Sequence, residues 1–258
     1  MQQPASGASS STGGRLYIWQ DHWQVWGRLL PNRTHRHTTA SLLVGVQGPF
    51  ELECDGEWRT TRAVLVAPDV PQALNPGNID MWVAQLDPDS SPWLQLKGLL
   101  KGRSSLDLDP DAALMAEPAP ADCGSMAQKL AAFLSRYGQP EASLDDRIAS
   151  CCQILRQEMP ERLVLADLAG RVGLSPSRLT HLFRSETGVS PRRFLLQLKM
   201  HRAMACWSPG KTVSEMAAEA GFYDQPHLVR TARDLFDALP SVYAGADWFQ
   251  VCRCDPAP

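Results

Sequence analysis

The apolar positions change rhythm once along the chain. From Leu16 to about Leu86 they come in short runs, SLLVGVQG, FELECDG and AVLVAPDVPQAL, cut by Gly, Pro and Asp-Gly. Such runs predict strands joined by tight turns. FELEC alternates apolar and polar residues, and Asp55-Gly56 supplies a two-residue hairpin turn into EWRTTRAVLV. An antiparallel barrel or sandwich follows from this pattern. After a Pro- and Asp-rich stretch from Asp87 to Asp122, with one helical piece at PWLQLKGLLKG, the period becomes helical. SMAQKLAAFLSRYG and SLDDRIASCCQILRQEM are the next two helices, the second with Ser143 as its expected N-cap and acids in its first turn. Ile148, Cys151, Cys152 and Leu155 share one face of that helix, which leaves a homodimer seam and packing within the monomer both open.

A repeated unit begins near Glu161. LVLADLAGRVGLSPSRLTHLFRSETG puts Leu165, Leu168, Ala169 and Val172 on one face of a short helix and Gly173 at a tight turn. Ser175 and Pro176 then serve as N-cap and first residue of a second helix, whose Leu179, Leu182 and Phe183 face inward. Two short helices around a glycine turn make a helix-turn-helix. The pattern recurs: a shift of 48 carries Leu165, Asp167, Leu168, Ala169, Val172 and Gly173 onto Val213, Glu215, Met216, Ala217, Ala220 and Gly221. Past the turn the shift is 49, which carries Ser175 onto Asp224, Leu179 onto Leu228, Arg184 onto Arg233, Pro191 onto Pro240 and Phe194 onto Tyr243. With Asp224 as the cap, Pro226 is the second helical residue, where its missing N–H breaks no intrahelical bond. The units are joined by SPRRFLLQLKMHRAMACWSPG, a helix of about seventeen residues and roughly 25 Å. Recognition helices held that far apart suit successive major grooves, about 34 Å apart on one side of a duplex.

Composition narrows the classes. Of 258 residues 44% are hydrophobic and 21% charged, the balance of a globular protein. No apolar run is long enough for a membrane helix. MQQPASGASSSTGG reads as a flexible arm rather than a signal peptide, which predicts a cytoplasmic protein. Seven cysteines without C-x-x-C spacing argue against a disulfide framework and a zinc finger, and Cys252 and Cys254 read as ordinary tail thiols. The net charge of −3 hides an asymmetry: residues 1–160 hold 13 Lys/Arg against 18 Asp/Glu, whereas 161–233 hold 11 against 6. The basic segment predicts an anionic partner. No paired carboxylates, nucleophile elbow or phosphate loop appears, so no enzyme is expected.

LADLAGRVGLSPSRLTHLFRSETGVSP and VSEMAAEAGFYDQPHLVR resemble the AraC family of bacterial transcription regulators, over Glu161 to Tyr243. The second motif departs from the family pattern. Pro226 and Leu228 stand where Ser or Thr and Phe are common, Ala232 replaces a Phe, Leu239 precedes Pro240 in place of Ser, and Ala244 follows Tyr243 in place of Arg. The resemblance implies an α+β chain: an arm at 1–14, an antiparallel cupin-like β barrel sensing an effector at 15–90, and linker helices at 91–158 open to dimerisation. An all-α domain with two helix-turn-helix units follows at 159–245, and a tail at 246–258. It further implies a sequence-specific regulator of transcription on double-stranded DNA, with a small-molecule effector; contact with RNA polymerase, a homodimer, and activation against repression stay open.

Ser177, Arg178, Thr180, His181 and Arg184 point outward on the first recognition helix, and Gln225, His227 and Arg230 on the second. They are the candidates for base readout; Arg230 suits the guanine O6 and N7 acceptors best. Arg192, Arg193, Lys199, Arg202 and Arg233 are candidates for phosphate contacts. THRHTTASLLVGVQGPFELECDG looks like a first cupin motif, with His35 and His37 as H-x-H, and PDVPQAL like the second. Thr38 to Ser41 offer no acid and Gln72 stands where a further histidine would be, so no metal or other cofactor is expected. A ligand pocket inside the barrel would use Trp58 and Trp82 for stacking and Arg33, His35, His37 and Gln72 for polar groups. Two alternatives stand: a metal-dependent cupin enzyme with a helical appendage, and a regulator whose second unit has drifted to a scaffold role.

Overall fold

The computed structural model describes residues 14–109, 119–208, 210–237 and 249–254. The expected arm and the positions Leu239, Pro240, Tyr243 and Ala244 lie outside the described residues. The chain is α+β, with a strand-rich N-terminal part and a helical C-terminal part.

Eleven strands are described: β1 Gly14–Ile18, β2 His22–Arg28, β3 His35–Arg36, β4 Ala40–Gly45, β5 Phe50–Cys54, β6 Glu57–Thr61, β7 Ala63–Val66, β8 Pro71–Asn75, β9 Asp80–Leu86, β10 Ser105–Asp107 and β11 Phe249–Arg253. They form two sheets rather than the expected closed barrel. One has the order β10-β7-β4-β9-β2-β1-β11 and the other β3-β8-β5-β6. The first is buried on both faces, which is why β4 and β7 read as unbroken apolar runs. One face meets the second sheet through Val25, Leu43, Val83, Leu52 and Leu74. The other carries Trp26, Trp82 and Leu42 against helices. Asp55 and Gly56 make the hairpin turn between β5 and β6, both at positive φ, 55° and 89°, as a two-residue turn requires.

The tail reading fails at β11. This strand pairs in parallel with β1 from Gly14↔Phe249 to Ile18↔Arg253. Cys254 then forms a disulfide with Cys123, against the expectation of free tail thiols. The pairing spans 131 residues, so no local spacing rule announces it.

Helix α1 (Ser91–Leu96) and a 3₁₀ turn (Lys97–Leu100) lie with α2 (Cys123–Tyr137) on the large sheet, where Trp93, Leu130 and Phe133 are buried. α3 (Asp146–Glu158) is capped by Asp145, which accepts from the Arg147 N–H at 3.0 Å, and not by Ser143. Its Ile148, Cys151, Cys152 and Leu155 pack inside the chain against Leu168, Leu179 and Phe183. That face is therefore occupied within the monomer and is no free seam.

The two repeats come out matched in length. α4 (Leu165–Arg171) and α5 (Pro176–Thr187) have 7 and 12 residues, and α7 (Val213–Glu219) and α8 (Gln225–Phe236) have 7 and 12. Gly173 and Gly221 both take positive φ, 68° and 74°. The turn is closed identically by Leu174 N–H to Ala169 C=O and Phe222 N–H to Ala217 C=O, each 2.9 Å. Only glycine enters that left-handed region at little cost. Between the units runs α6 (Pro191–Cys206). Its first half, with Phe194 and Leu198, belongs to the core of the first unit, and its second half, with Met200 and Ala203, to that of the second.

Candidate DNA-binding surface and effector cavity

Each recognition helix starts on a side-chain cap. Ser175 Oγ accepts from the Arg178 N–H at 3.3 Å, and Asp224 Oδ1 from the His227 N–H at 2.6 Å. Pro176 and Pro226 occupy the first turn, where no backbone donor is required of them. On α5 the side chains of Ser177, Arg178, His181 and Arg184 are exposed. Thr180 is half-buried and its hydroxyl is turned back to the Pro176 carbonyl at 2.9 Å. On α8, Gln225 and Arg230 are exposed, while His227 is half-buried edge-on to Phe222 at 5.2 Å. Burial and the nearby Lys199 and Arg230 hold His227 below the ordinary histidine range, so it meets a neighbour as a neutral ring.

The phosphate candidates divide. Arg192, Arg202 and Arg233 are exposed. Lys199 is buried at 2% exposure and its Nζ donates to the Glu161 carbonyl at 2.8 Å, so it serves the fold between the two units instead. Arg193 and Arg184 both reach Asp69 of the strand-rich part, at 3.3 and 3.4 Å. The strand-rich part thus already engages one face of the first unit.

A cavity of about 230 Å³ lies between the sheets, α6 and α8. His35, His37 and Gln72 line it. Arg33, Trp58 and Trp82 do not. Arg33 is at the surface in an ion pair with Asp237 at 2.9 Å, and Trp58 is 56% exposed. Trp82 is buried on the opposite face of the large sheet, edge-on to Phe133 at 5.8 Å, with its Nε1 donating to Gln24. What the sequence did not supply is the helical wall: Met200, Met204, Leu228, Ala232 and Phe236. One signal pointed there, the alanine at 232 in place of a bulky aromatic. Phe236 closes the wall between Trp23 and His37, at 5.7 and 5.4 Å between ring centroids. Among the described lining residues no side chain is charged, and burial pushes the pKa of both His35 and His37 down.

Beside the cavity a polar joint ties the two parts. Gln197 of α6 accepts from Thr38 at 2.9 Å and donates to Asp87 at 3.4 Å. Arg156 of α3 reaches Asp87 at 2.6 Å and Asp89 at 2.5 Å. Asp87 is fully buried, and desolvation holds its carboxyl above the usual range even with Arg156 against it. Arg253 of β11 donates to the Ala205 carbonyl at 2.6 Å, holding the end of α6 from the far side. Among the described residues no group of three or more His, Cys, Asp or Glu side chains is placed to hold a metal ion, and no helix is long and apolar enough to cross a membrane.

A family described as "Helix-turn-helix domain" matches residues 168–246, the segment that carries both recognition helices. The matching relatives include the regulatory protein Ada of Salmonella typhimurium, 33% identical over 87 residues, which is 34% of this chain and 24% of that protein. Another is the arabinose operon regulatory protein of Escherichia coli, 28% identical over 102 residues, 39% of this chain and 35% of that one. The helical C-terminal part is similar to the helix-turn-helix segment of AraC-family regulators. It matches only about a quarter to a third of the length of these two relatives. The fold extends further: ToxT from Vibrio cholerae superposes with a TM-score of 0.60 at 12% identity, over 87% of this chain and 98% of ToxT. Another structure of ToxT is described as bound to an unsaturated fatty acid, with a TM-score of 0.54 at 11% identity over 91% of this chain and 94% of that one.

Proposed function

We propose that this chain is an AraC-family regulator of transcription that binds DNA sequence-specifically, and that its second helix-turn-helix reports the occupancy of an effector cavity. One observation carries the reading: Leu228, Ala232 and Phe236 lie on the same recognition helix as Arg230 and also form the wall of the cavity. An occupant that presses on this wall changes how α8 is held relative to α5, and DNA affinity depends on both helices reaching their grooves together. The ToxT structure described as bound to an unsaturated fatty acid supports the analogy in kind, a ligand bound to the same fold.

Base readout falls to Ser177, Arg178, His181 and Arg184 on α5, with Thr180 through its methyl, and to Gln225, His227 and Arg230 on α8. Arg192, Arg202 and Arg233 take the phosphates; Arg193 joins them once Asp69 releases it. The matched lengths, turns and caps of the two units favour a second unit that binds DNA over one reduced to a scaffold. RNA polymerase contact, a homodimer on DNA and a cytoplasmic location belong to the same proposal, and catalysis does not. Genome-wide mapping of bound DNA, followed by footprinting on the strongest sites, tests it. Protection of two successive major grooves per monomer is expected, and protection of one would favour the scaffold alternative. Loss of sequence preference in neither His181→Ala nor Arg230→Ala would remove the contact assignment.

A further inference from the structure

Three residues that line the cavity each carry a buried polar atom without a protein partner: Trp23 Nε1, His37 Nδ1 and Gln72 Oε1. Their neighbours decide what each one needs. His35 Nδ1 lies 2.8 Å from the Arg33 carbonyl, which can only accept, so His35 carries its proton there. Its Nε2 is then a lone pair, and His37 Nε2, 2.9 Å away, donates to it. Burial, with His35 and Arg193 nearby, keeps His37 uncharged, which makes His37 Nδ1 an acceptor in want of a donor. Gln72 Nε2 donates to Ser41 Oγ at 3.0 Å, and the Ser41 hydroxyl donates onward to Gln85 Oε1 at 3.1 Å. That chain fixes Gln72 Oε1 as a second unfilled acceptor, while the Trp23 indole is a donor only.

Resting on the reading of the cavity as the effector site, we propose that its ligand is an uncharged, mostly apolar molecule with a hydrogen-bond-donating head, a hydroxyl or a primary amide, and that the cavity rejects the corresponding carboxylate. A primary amide brings two N–H donors and one carbonyl acceptor, the complement of His37 Nδ1, Gln72 Oε1 and Trp23 Nε1. A carboxylate brings acceptors alone to a site with two lone pairs and no cation among its described lining residues, and a buried anion without a partner is strongly disfavoured. All three atoms are buried away from solvent. The terminal torsions of imidazole and carboxamide are soft, so small rotations turn them onto a head group. Met200 and Met204 adapt to the shape of the apolar part.

The full chain is titrated with decanamide, 1-decanol and decanoate at neutral pH, following tryptophan fluorescence and calorimetry. The amide and the alcohol are expected to bind about tenfold or more tightly than decanoate. Gln72→Leu and His37→Phe, which remove the acceptors but keep an apolar wall, should bring that ratio close to one. Decanoate binding as tightly as the neutral probes overturns the ligand class and leaves the cavity reading standing, provided Ala232→Phe abolishes the binding. Binding that Ala232→Phe leaves unchanged, or no binding of any probe, overturns the cavity reading and the ligand class with it.

Discussion

The two helix-turn-helix units have the same helix lengths, turns and caps, yet they rest on different supports. The first encloses its own core: Phe183 meets Phe194 edge-on at 5.6 Å, and α3 seals the far side with Ile148, Cys151 and Leu155. The second has no such helix beneath it among the described residues. Its recognition helix carries Ala232 where the first-unit pattern leads one to expect bulk, and its end is held by the strand-rich part through Phe236 and the Asp237–Arg33 pair. The first unit completes its own core and meets the strand-rich part through polar contacts, among them Arg184 and Arg193 to Asp69. A unit that borrows its neighbour's wall is open to control by whatever fills the space between them.

The most severe way to break this contrast is to remove the core of the first unit. Phe183→Ala should cost about 3–5 kcal/mol in denaturant unfolding, because the buried ring leaves a cavity that fixed helices cannot close. A cost below about 1 kcal/mol would mean that the first unit leans on its surroundings as the second does. The polar joint beside the cavity is probed by acid. His201 of α6 is buried near Arg156, His22 and Asp21, and desolvation brings its pKa down from 6.5 to about 4. A depressed folded-state pKa gives stability that is present above pH 6.5 and lost as pH falls toward 4, up to about 3 kcal/mol for this shift. Asp87, with its pKa raised, works the other way, its contribution being present at low pH and lost as pH rises. The measurement is therefore the difference between wild type and His201→Gln in melting temperature across pH 7 to 4, and the variant should lose less on acidification.

Smaller effects sharpen the comparison at the DNA. His181→Ala in the first unit and Arg230→Ala in the second should each weaken specific binding by about 1–3 kcal/mol while leaving non-specific binding nearly unchanged. Fluorescence anisotropy on specific and scrambled duplexes checks both. Smallest in stability is Ala232→Phe, which should gain about 0.5–2 kcal/mol by filling the space and make DNA binding insensitive to ligand. A variant that keeps its ligand response would show that the alanine is not the source of that sensitivity.

Much of the helical part was legible because its determinants are local. A cap and its N–H partner are three residues apart, a glycine turn is set by one φ angle, and helix faces follow a short period. The register that put Pro226 safely inside the first turn of α8 is of this kind. The strand-rich part was less legible. Trp82 was assigned to a ligand pocket, but on a strand buried on both sides the alternation of side chains does not tell which face meets ligand and which meets helix. Lys199 looked like a phosphate contact because a basic residue on a helix is usually solvated, yet α6 is packed on nearly every side. The barrel was expected from strand-like runs, which carry no information on whether a sheet closes.

By itself, the amino-acid sequence determined the duplication, the two turns, the caps and the outward polar faces of α5 and α8, since each depends on residues within about one helical turn. Only the tertiary structure decided the return of β11 to the edge of the first sheet, the Cys123–Cys254 bridge, and the cavity whose wall joins strand residues near 23, 37 and 72 to helix residues near 200 and 232. Those contacts link segments more than a hundred residues apart, where pairing is chosen by burial and shape across the whole chain rather than by any local period.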